Sequence, residues 1–394
     1  MLLLFSLIVR ILLFPLPGYK VDLSTFAAWF NAAAEHGIRV FYNVVWSDYP
    51  PFNVYLFWIF GSLAKQLSLS GTSLVYLIKL LPNLFDFATA FLIFTFVRKR
   101  LNFKTSLLAA ALYAFNPAVI FDAAVWGQYD AIYTFFLVLS LVLVFASKPK
   151  LSAVAFTVGL LTKPQSIALA PLIAFLIFRK HGWRSLLTSL LASAATIFVV
   201  IIPFEWSNPI TFLTNIYFGA YGGYAVTTAN AFNLWALGGL WRPDTQTFFF
   251  LNLYTIGWIM FGALVIFTLY MLHKRLDASG EAIILFSAFV LFFGFFMLPT
   301  RIHERYLFPA LSVLALMFPF LKRTRLTYGL LSSTCLANTG YVLYFLNKGQ
   351  FIPSGDLVVL FVTAINLLVF INVLLLMWRE LKGRPLLGTA LSRG

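Results

Sequence analysis

Asp22 interrupts an apolar run just ahead of LSTFAAWFNAAAE (23–35). A carboxylate there has two possible uses. It could cap the amphipathic helix predicted for 23–35, with Thr25 at the third position. It could also act as a general base on an acceptor hydroxyl. Asp48-Tyr49-Pro50-Pro51 predicts a rigid turn into a helix, since Pro is tolerated in the first helical turn and Asp48 suits the positive N-terminus. Asp48 and Tyr49 are also candidates to touch a sugar or an acceptor. Asp122–Asp130 (DAAVWGQYD) puts two carboxylates, an amide and two aromatics into one short turn. Trp126, Gln128 and Asp130 are candidates to hold sugar hydroxyls, while Trp126 and Tyr129 could instead be interface anchors. Asp122 with Asp130 could hold a divalent cation. Sugar binding is favoured over a metal cage, because no other acid lies nearby in sequence.

Thr162-Lys163-Pro164-Gln165 falls in the middle of an apolar stretch. Lys163 either snorkels to the interface or ligates a phosphate beside a helix N-terminus; Gln165 is placed with the sugar ligands. Arg301-Ile302-His303-Glu304-Arg305-Tyr306 crowds four ionisable groups between two apolar runs. His303, Arg305 and Arg301 are candidate ligands of a phosphate, with Glu304 orienting one of them or meeting the sugar. Lys79 and Asp86 share a helix face two turns apart, too far to pair, so each is expected to have another partner.

The elements that must carry these residues are apolar. Of 394 residues, 61% are hydrophobic, 18% aromatic and only 10% charged, against about 25% charged in soluble proteins. A mean hydropathy of +0.90 excludes an ordinary soluble enzyme, a disordered chain and a coiled coil. Apolar runs near 1–17, 73–97, 105–121, 128–147, 151–162, 164–178, 185–203, 251–273, 281–298, 306–321, 326–346 and 357–378 predict an all-α integral membrane protein of about 12 transmembrane helices. Residues 1–17 read as a retained first helix, without a cleavage site. Segment 52–67 reads as a juxtamembrane or re-entrant helix. Residues 151–178 read as two short helices meeting at Lys163-Pro164, since Pro breaks helices and Lys is costly in lipid.

With the N-terminus inside, Arg98–Lys104, Lys148, Lys150, Arg179–Arg184, Lys274, Arg275, Lys322–Arg325 and the tail (Arg379, Lys382, Arg384, Arg393) all fall on the cytoplasmic side. This is a positive-inside pattern. The net charge of +15 is thereby a matter of topology, not of nucleic-acid binding. Most acids then lie outside or within the membrane, so a site using carboxylates faces away from the cytoplasm. The single Cys335 gives no disulfide framework.

A carboxylate base, a cationic pocket for a leaving phosphate and aromatic loops for a sugar are the parts of sugar transfer from a lipid phosphate. The order Asp22, DYPP (48–51), WGQYD (126–130), LTKPQ (161–165), NAFNLW (230–235) and HERYLFP (303–309) resembles bacterial and archaeal mannosyltransferases related to the second GPI mannosyltransferase. It is also similar to the dolichyl-phosphate-glucose α-1,3-glucosyltransferases, with Arg305 in place of their Lys. Both are GT-C glycosyltransferases. The resemblance implies a GT-C fold and an inverting transferase. It would move mannose or glucose from a polyprenyl- or dolichyl-phosphate donor to a lipid-linked or other glycan acceptor. Asp22 would be the base, with His303 and Arg305 near the donor phosphate; no cofactor is implied, and a divalent metal at Asp122 and Asp130 stays open but is not favoured.

The expected organisation is a conserved GT-C membrane module over 1–203 with a first outer loop (18–51), a long outer loop (204–250), and a variable membrane module with a short cytoplasmic tail (251–394). The expected location is the plasma membrane of a bacterium or archaeon, or the ER membrane of a eukaryote, with the site on the outer or luminal face. The short chain, without a soluble C-terminal domain, argues against a peptide acceptor. The rival expectation is a polytopic lipid or solute transporter, with Lys79, Asp86 and Lys163 along its path.

Overall fold

Long apolar runs with few charges form helices, because only internal hydrogen bonding satisfies a backbone surrounded by lipid. The computed structural model describes residues 1–384, excepting the side chains of Ala220 and Tyr221; the rest of the tail, including Arg393, lies outside the described residues. The helices are α1 (Leu2–Leu12), α2 (Lys20–His36), α3 (Phe41–Val44), α4 (Pro51–Gln66), α5 (Gly71–Arg98), α6 (Phe103–Ala114), α7 (Pro117–Ile120), α8 (Asp130–Phe145), α9 (Pro149–Leu160), α10 (Ala170–Ile201), α11 (Pro209–Gly222), α12 (Leu253–Met297), α13 (Phe308–Met317), α14 (Arg325–Asn347) and α15 (Leu357–Leu381). A π-helical turn, Phe121–Trp126, leads to α8, and a 3-10 turn, Pro164–Leu169, leads to α10. A two-stranded hairpin, β1 (Thr247–Phe248) with β2 (Leu251–Asn252), precedes α12.

Each predicted apolar run overlaps a helix, although 1–17 outlasts α1, which ends at Leu12, and 105–121 is divided between α6 and α7. α10 and α12 each carry two runs, joined at Gly182 (φ 79) and Gly280 (φ 59), left-handed conformations that glycine adopts without strain. Among the described residues, four helices are long and apolar enough to cross a membrane: Gly71–Arg98, Pro164–Ile201, Leu253–Met297 and Leu357–Leu381. The pair Phe103–Ala114 and Pro117–Trp126, bent by 46°, would make a fifth if it is one span. The fewer qualifying spans have a physical reason. Helices such as Leu2–Leu12 and Pro149–Leu160 are shorter than the roughly 20 residues that a bilayer core requires.

The chain divides into two compact units, one of Met1–Thr89 with Asp122–Gly223 and one of Ala90–Phe121 with Tyr224 onward. The core of the first unit is aromatic. α2 and α4 press together Phe26, Trp29, Phe30, Phe41, Tyr49 and Phe57, all buried. The approach is close enough that a Cβ on Gly61 would stand 2.2 Å from the carbonyl oxygen of Phe30. Segment 52–67 is accordingly a helix packed on α2. Arg10 ties α1 to α5 through a buried ion pair with Asp86 at 2.6 Å and a bond to Asn83 at 3.0 Å. Lys79 of α5 holds the chain after α1, donating to the carbonyls of Phe14 (2.9 Å) and Leu16 (2.7 Å). These are the separate partners that their spacing required.

In the second unit, α6 packs on α13, and α14 on α13 and α15. Asparagines on apolar helices pin the NAFNLW loop. Asn338 bonds both the carbonyl of Asn230 and the amide of Phe232, and Asn366 donates to the carbonyl of Phe232.

Candidate functional site

In the first unit, four of the sequence motifs meet. Asp22 is not the cap of α2. Tyr19 holds that position, and Asp22 sits in the first helical turn. Its carboxylate turns away from the backbone to the WGQYD turn, where Oδ2 accepts from Trp126 Nε1 (2.9 Å) and Gln128 Nε2 (2.6 Å). Two N–H donors on one oxygen are suited to an anion, and the start of α2 adds the favourable end of its dipole. Gly127 (φ 87) makes the tight turn that presents both donors; a Cβ there would strike Leu23. Trp126 and Tyr129 are not interface anchors, being 1% and 0% exposed. Tyr129 instead stacks on Phe26 at 4.3 Å, and its hydroxyl reaches the carbonyl of Ile78 at 3.4 Å. That carbonyl lacks its helical partner because Pro82, four residues on, has no N–H.

DYPP docks on the helix break at Lys163. The amide of Phe52 and the side chain of Asn53 donate to the carbonyls of Leu161 (3.1 Å) and Thr162 (2.6 Å), which α9 leaves open at its C-terminus. Tyr42 Oη donates to the carbonyl of Tyr49 at 2.6 Å. Burial, with Tyr217 and Asp48 nearby, pushes the Tyr42 hydroxyl well above its ordinary value, so it stays a donor. Lys163 does not snorkel. It is buried, pairs with Asp130 Oδ2 at 3.0 Å, and lies 5.5 Å and 5.6 Å from the Tyr49 and Tyr133 ring centres. Gln165 follows on the 3-10 turn, with Oε1 buried and without a protein hydrogen-bond partner among the described residues.

Asp122 is buried in the π-turn, and its carbonyl accepts from the amides of Gly127 and Gln128. Asp130 already faces a lysine ammonium, and no group of three or more His, Cys, Asp or Glu able to hold a metal occurs among the described residues.

The second unit holds the remaining two motifs, the NAFNLW loop already described and the stretch that begins at Arg301. Arg301 adopts a left-handed backbone (φ 64) and aims its guanidinium at Asp244, with Nε to Oδ2 at 2.7 Å; Thr300 donates to the same oxygen at 3.0 Å. The guanidinium also lies 4.7 Å over Tyr254. Arg305 Nη1 meets Glu304 Oε1 at 2.6 Å. His303 Nδ1 lies 3.8 Å from Glu304 Oε2, under the edge of Tyr224 at 4.8 Å. Burial alone would raise the Glu304 carboxyl, but Arg305 and His303 overcome it and hold the group at about 2. Lys163, Arg301 and Arg305 thus each lie against a carboxylate.

Sequence reasoning missed Asp244, Arg10, Asn338 and Asn366. Asp244 and Arg10 carried the same signal as the residues it did find, a charge or amide far from any cytoplasmic end.

Residues 48–206, which carry DYPP, WGQYD and LTKPQ, match the family model described as dolichyl-phosphate-mannose-protein mannosyltransferase. The chain is similar to three solved structures of the Archaeoglobus fulgidus oligosaccharyltransferase: an apo form (13% identity, TM-score 0.40), one tethered to an acceptor peptide (15%, 0.42) and one with an inhibitory peptide and a dolichol-phosphate (13%, 0.41). They cover 97% of this chain and 55%, 54% and 55% of their own, so the chain spans about half their length. No curated protein matches the chain. Over residues 48–206 the chain thus resembles a family of mannosyl-transferring enzymes, in line with the motifs in that stretch, and several of its described helices are long and apolar enough to cross a membrane.

Proposed function

We propose that the protein is an inverting GT-C transferase. It moves a hexose, mannose or glucose, from a polyprenyl- or dolichyl-phosphate donor to a lipid-linked or other glycan acceptor at the extracytoplasmic face of a bundle of about 12 membrane helices. The observation that carries this reading is the Asp22 carboxylate, held by Trp126 and Gln128 although more than a hundred residues separate them. An acid fixed by two donors from a distant turn is positioned for a task beyond capping its own helix.

In the proposed step Asp22 takes the acceptor hydroxyl proton. The acceptor oxygen attacks C1 of the hexose, and the C1–O bond to phosphate breaks with its electron pair leaving on the polyprenyl phosphate. Lys163, in the same unit as Asp22, is the cation available to stabilise that charge; His303, Arg305 and Arg301 of the second unit are the other candidate phosphate ligands. Asp48, Tyr49, Trp126, Gln128, Asp130, Gln165 and Glu304 are the candidate sugar and acceptor ligands.

The test incubates purified protein with polyprenyl-phosphate-mannose and polyprenyl-phosphate-glucose separately and reads products by mass spectrometry. Asp22→Asn, folded by its melting temperature, is expected to lose transfer by about 10²-fold or more; full activity in that variant overturns the assignment. A donor-independent flux in liposomes would favour the transporter instead.

A further inference from the structure

α2 has two working faces. Asp22, Phe26, Trp29 and Ala33 follow one another at helical spacing on the core face. Lys20, Leu23, Ser24 and Ala27 stand at i, i+3, i+4 and i+7 on the other, and line a cavity of about 580 Å³. Its remaining walls are the turn after α1 (Phe14–Gly18) and the start of α5, including Thr72, Leu74, Val75, Tyr76 and Lys79.

The lining contains two lysines and no acid. Lys79 is 1% exposed, and its only protein partners are two neutral carbonyls, leaving the third N–H of its ammonium without a protein acceptor among the described residues. A buried cation without a counter-charge is costly. Lys20 stands exposed at the rim, with the Ser24 hydroxyl one turn along. The N-terminus of α5, a candidate membrane span, opens on the same space and adds its dipole. Exposed apolar side chains lie in this lining or next to it in sequence: Leu16 (45% exposed) lines it, Val21 (55%) follows Lys20, and Leu12 (73%) ends α1 two residues before Phe14.

We propose that this cleft binds the phosphate headgroup of an anionic membrane phospholipid, with Lys79 and Lys20 on the phosphate and the acyl chains along Leu12, Leu16 and Val21. An anion supplies the charge that Lys79 lacks, and the apolar flanks give a lipid, rather than a soluble phosphate, somewhere to lie. The cleft is on the opposite side of α2 from Asp22, so this inference does not depend on the transferase reading.

The test is native mass spectrometry of delipidated protein in detergent, titrated with phosphatidylglycerol, phosphatidylcholine, inorganic phosphate and polyprenyl phosphate. Phosphatidylglycerol is expected to be retained preferentially. Lys20→Gln should weaken it about fivefold, the worth of roughly one juxtamembrane lysine, and Lys79→Gln at least as much. Ala27→Trp, which fills the cleft without touching either lysine, should also weaken it and keeps the test open if Lys79→Gln does not fold. Equal retention of phosphatidylglycerol and phosphatidylcholine, or affinity unchanged in Lys20→Gln and Ala27→Trp, overturns the proposal. Full competition by inorganic phosphate overturns the lipid assignment, and preferential uptake of polyprenyl phosphate would make the cleft a donor site instead.

Discussion

Gln128 Nε2 donates to Asp22 Oδ2 at 2.6 Å across 106 residues of sequence. The bond fixes the rotamer of the proposed base from a turn whose backbone is itself fixed by Gly127. A hydrogen bond to a charged group contributes about 1.5–3 kcal/mol. Gln128→Ala is therefore expected to lower the melting temperature and, with the Asp22 rotamer freed, to lower the turnover of transfer in the fraction that stays folded by about 10-fold or more. Gln128→Glu, which sets a second carboxylate against the first, should be worse than Gln128→Ala. Steady-state rates on folded variants check both.

The Lys163–Asp130 pair is buried on both sides. Removing one partner of such a pair leaves an uncompensated charge and costs about 3–5 kcal/mol. Lys163→Met and Asp130→Asn should each lower thermal stability in detergent. The double variant should lose less than the sum, and a double-mutant cycle reads that coupling. Additive losses would show that the two side chains act separately.

Glu304 is held at about 2 by Arg305 and His303, against an ordinary 4.5. A depressed carboxyl contributes stability that is complete above its unfolded value and lost as pH falls through the folded one. The second unit is expected to weaken between pH 4.5 and about 2. Glu304→Gln should be less stable than the parent at neutral pH, and the gap should narrow across that window. Melting curves of both proteins against pH measure it.

Gly61 lets α2 and α4 approach until a Cβ would overlap the Phe30 backbone at 2.2 Å. Backbone cannot swing aside as a side chain can, so Gly61→Ala should cost at least the ~1–3 kcal/mol typical of overpacking. Gly262, with nothing within 4 Å, is the control, since Gly262→Ala in α12 should be neutral or mildly stabilising. Thermal shifts of the two variants compare them.

The helices were legible in the sequence because apolar runs in lipid have one satisfactory backbone conformation. The break at Lys163-Pro164 was legible for the converse reason, since Pro removes a donor and a ring clash ends the helix. The motif positions were legible because charge is rare and costly in such a chain. The use of each charge was not. Asp22 fitted a cap and a base, and Trp126 fitted an interface anchor and a sugar ligand. Lys163 fitted a snorkel and a ligand, and only its buried partner Asp130 removed the snorkel.

Composition and order in this chain by themselves determined the kind of molecule, a helical membrane protein with its ionisable groups concentrated in a few short motifs. The tertiary structure alone decided the pairings: Asp22 with Trp126 and Gln128, Lys163 with Asp130, Arg301 with Asp244, Arg10 with Asp86. Local sequence sets the conformation of a segment through neighbours a few residues apart. A hydrogen bond between residues a hundred positions apart depends on how whole helices pack, and no local pattern encodes it.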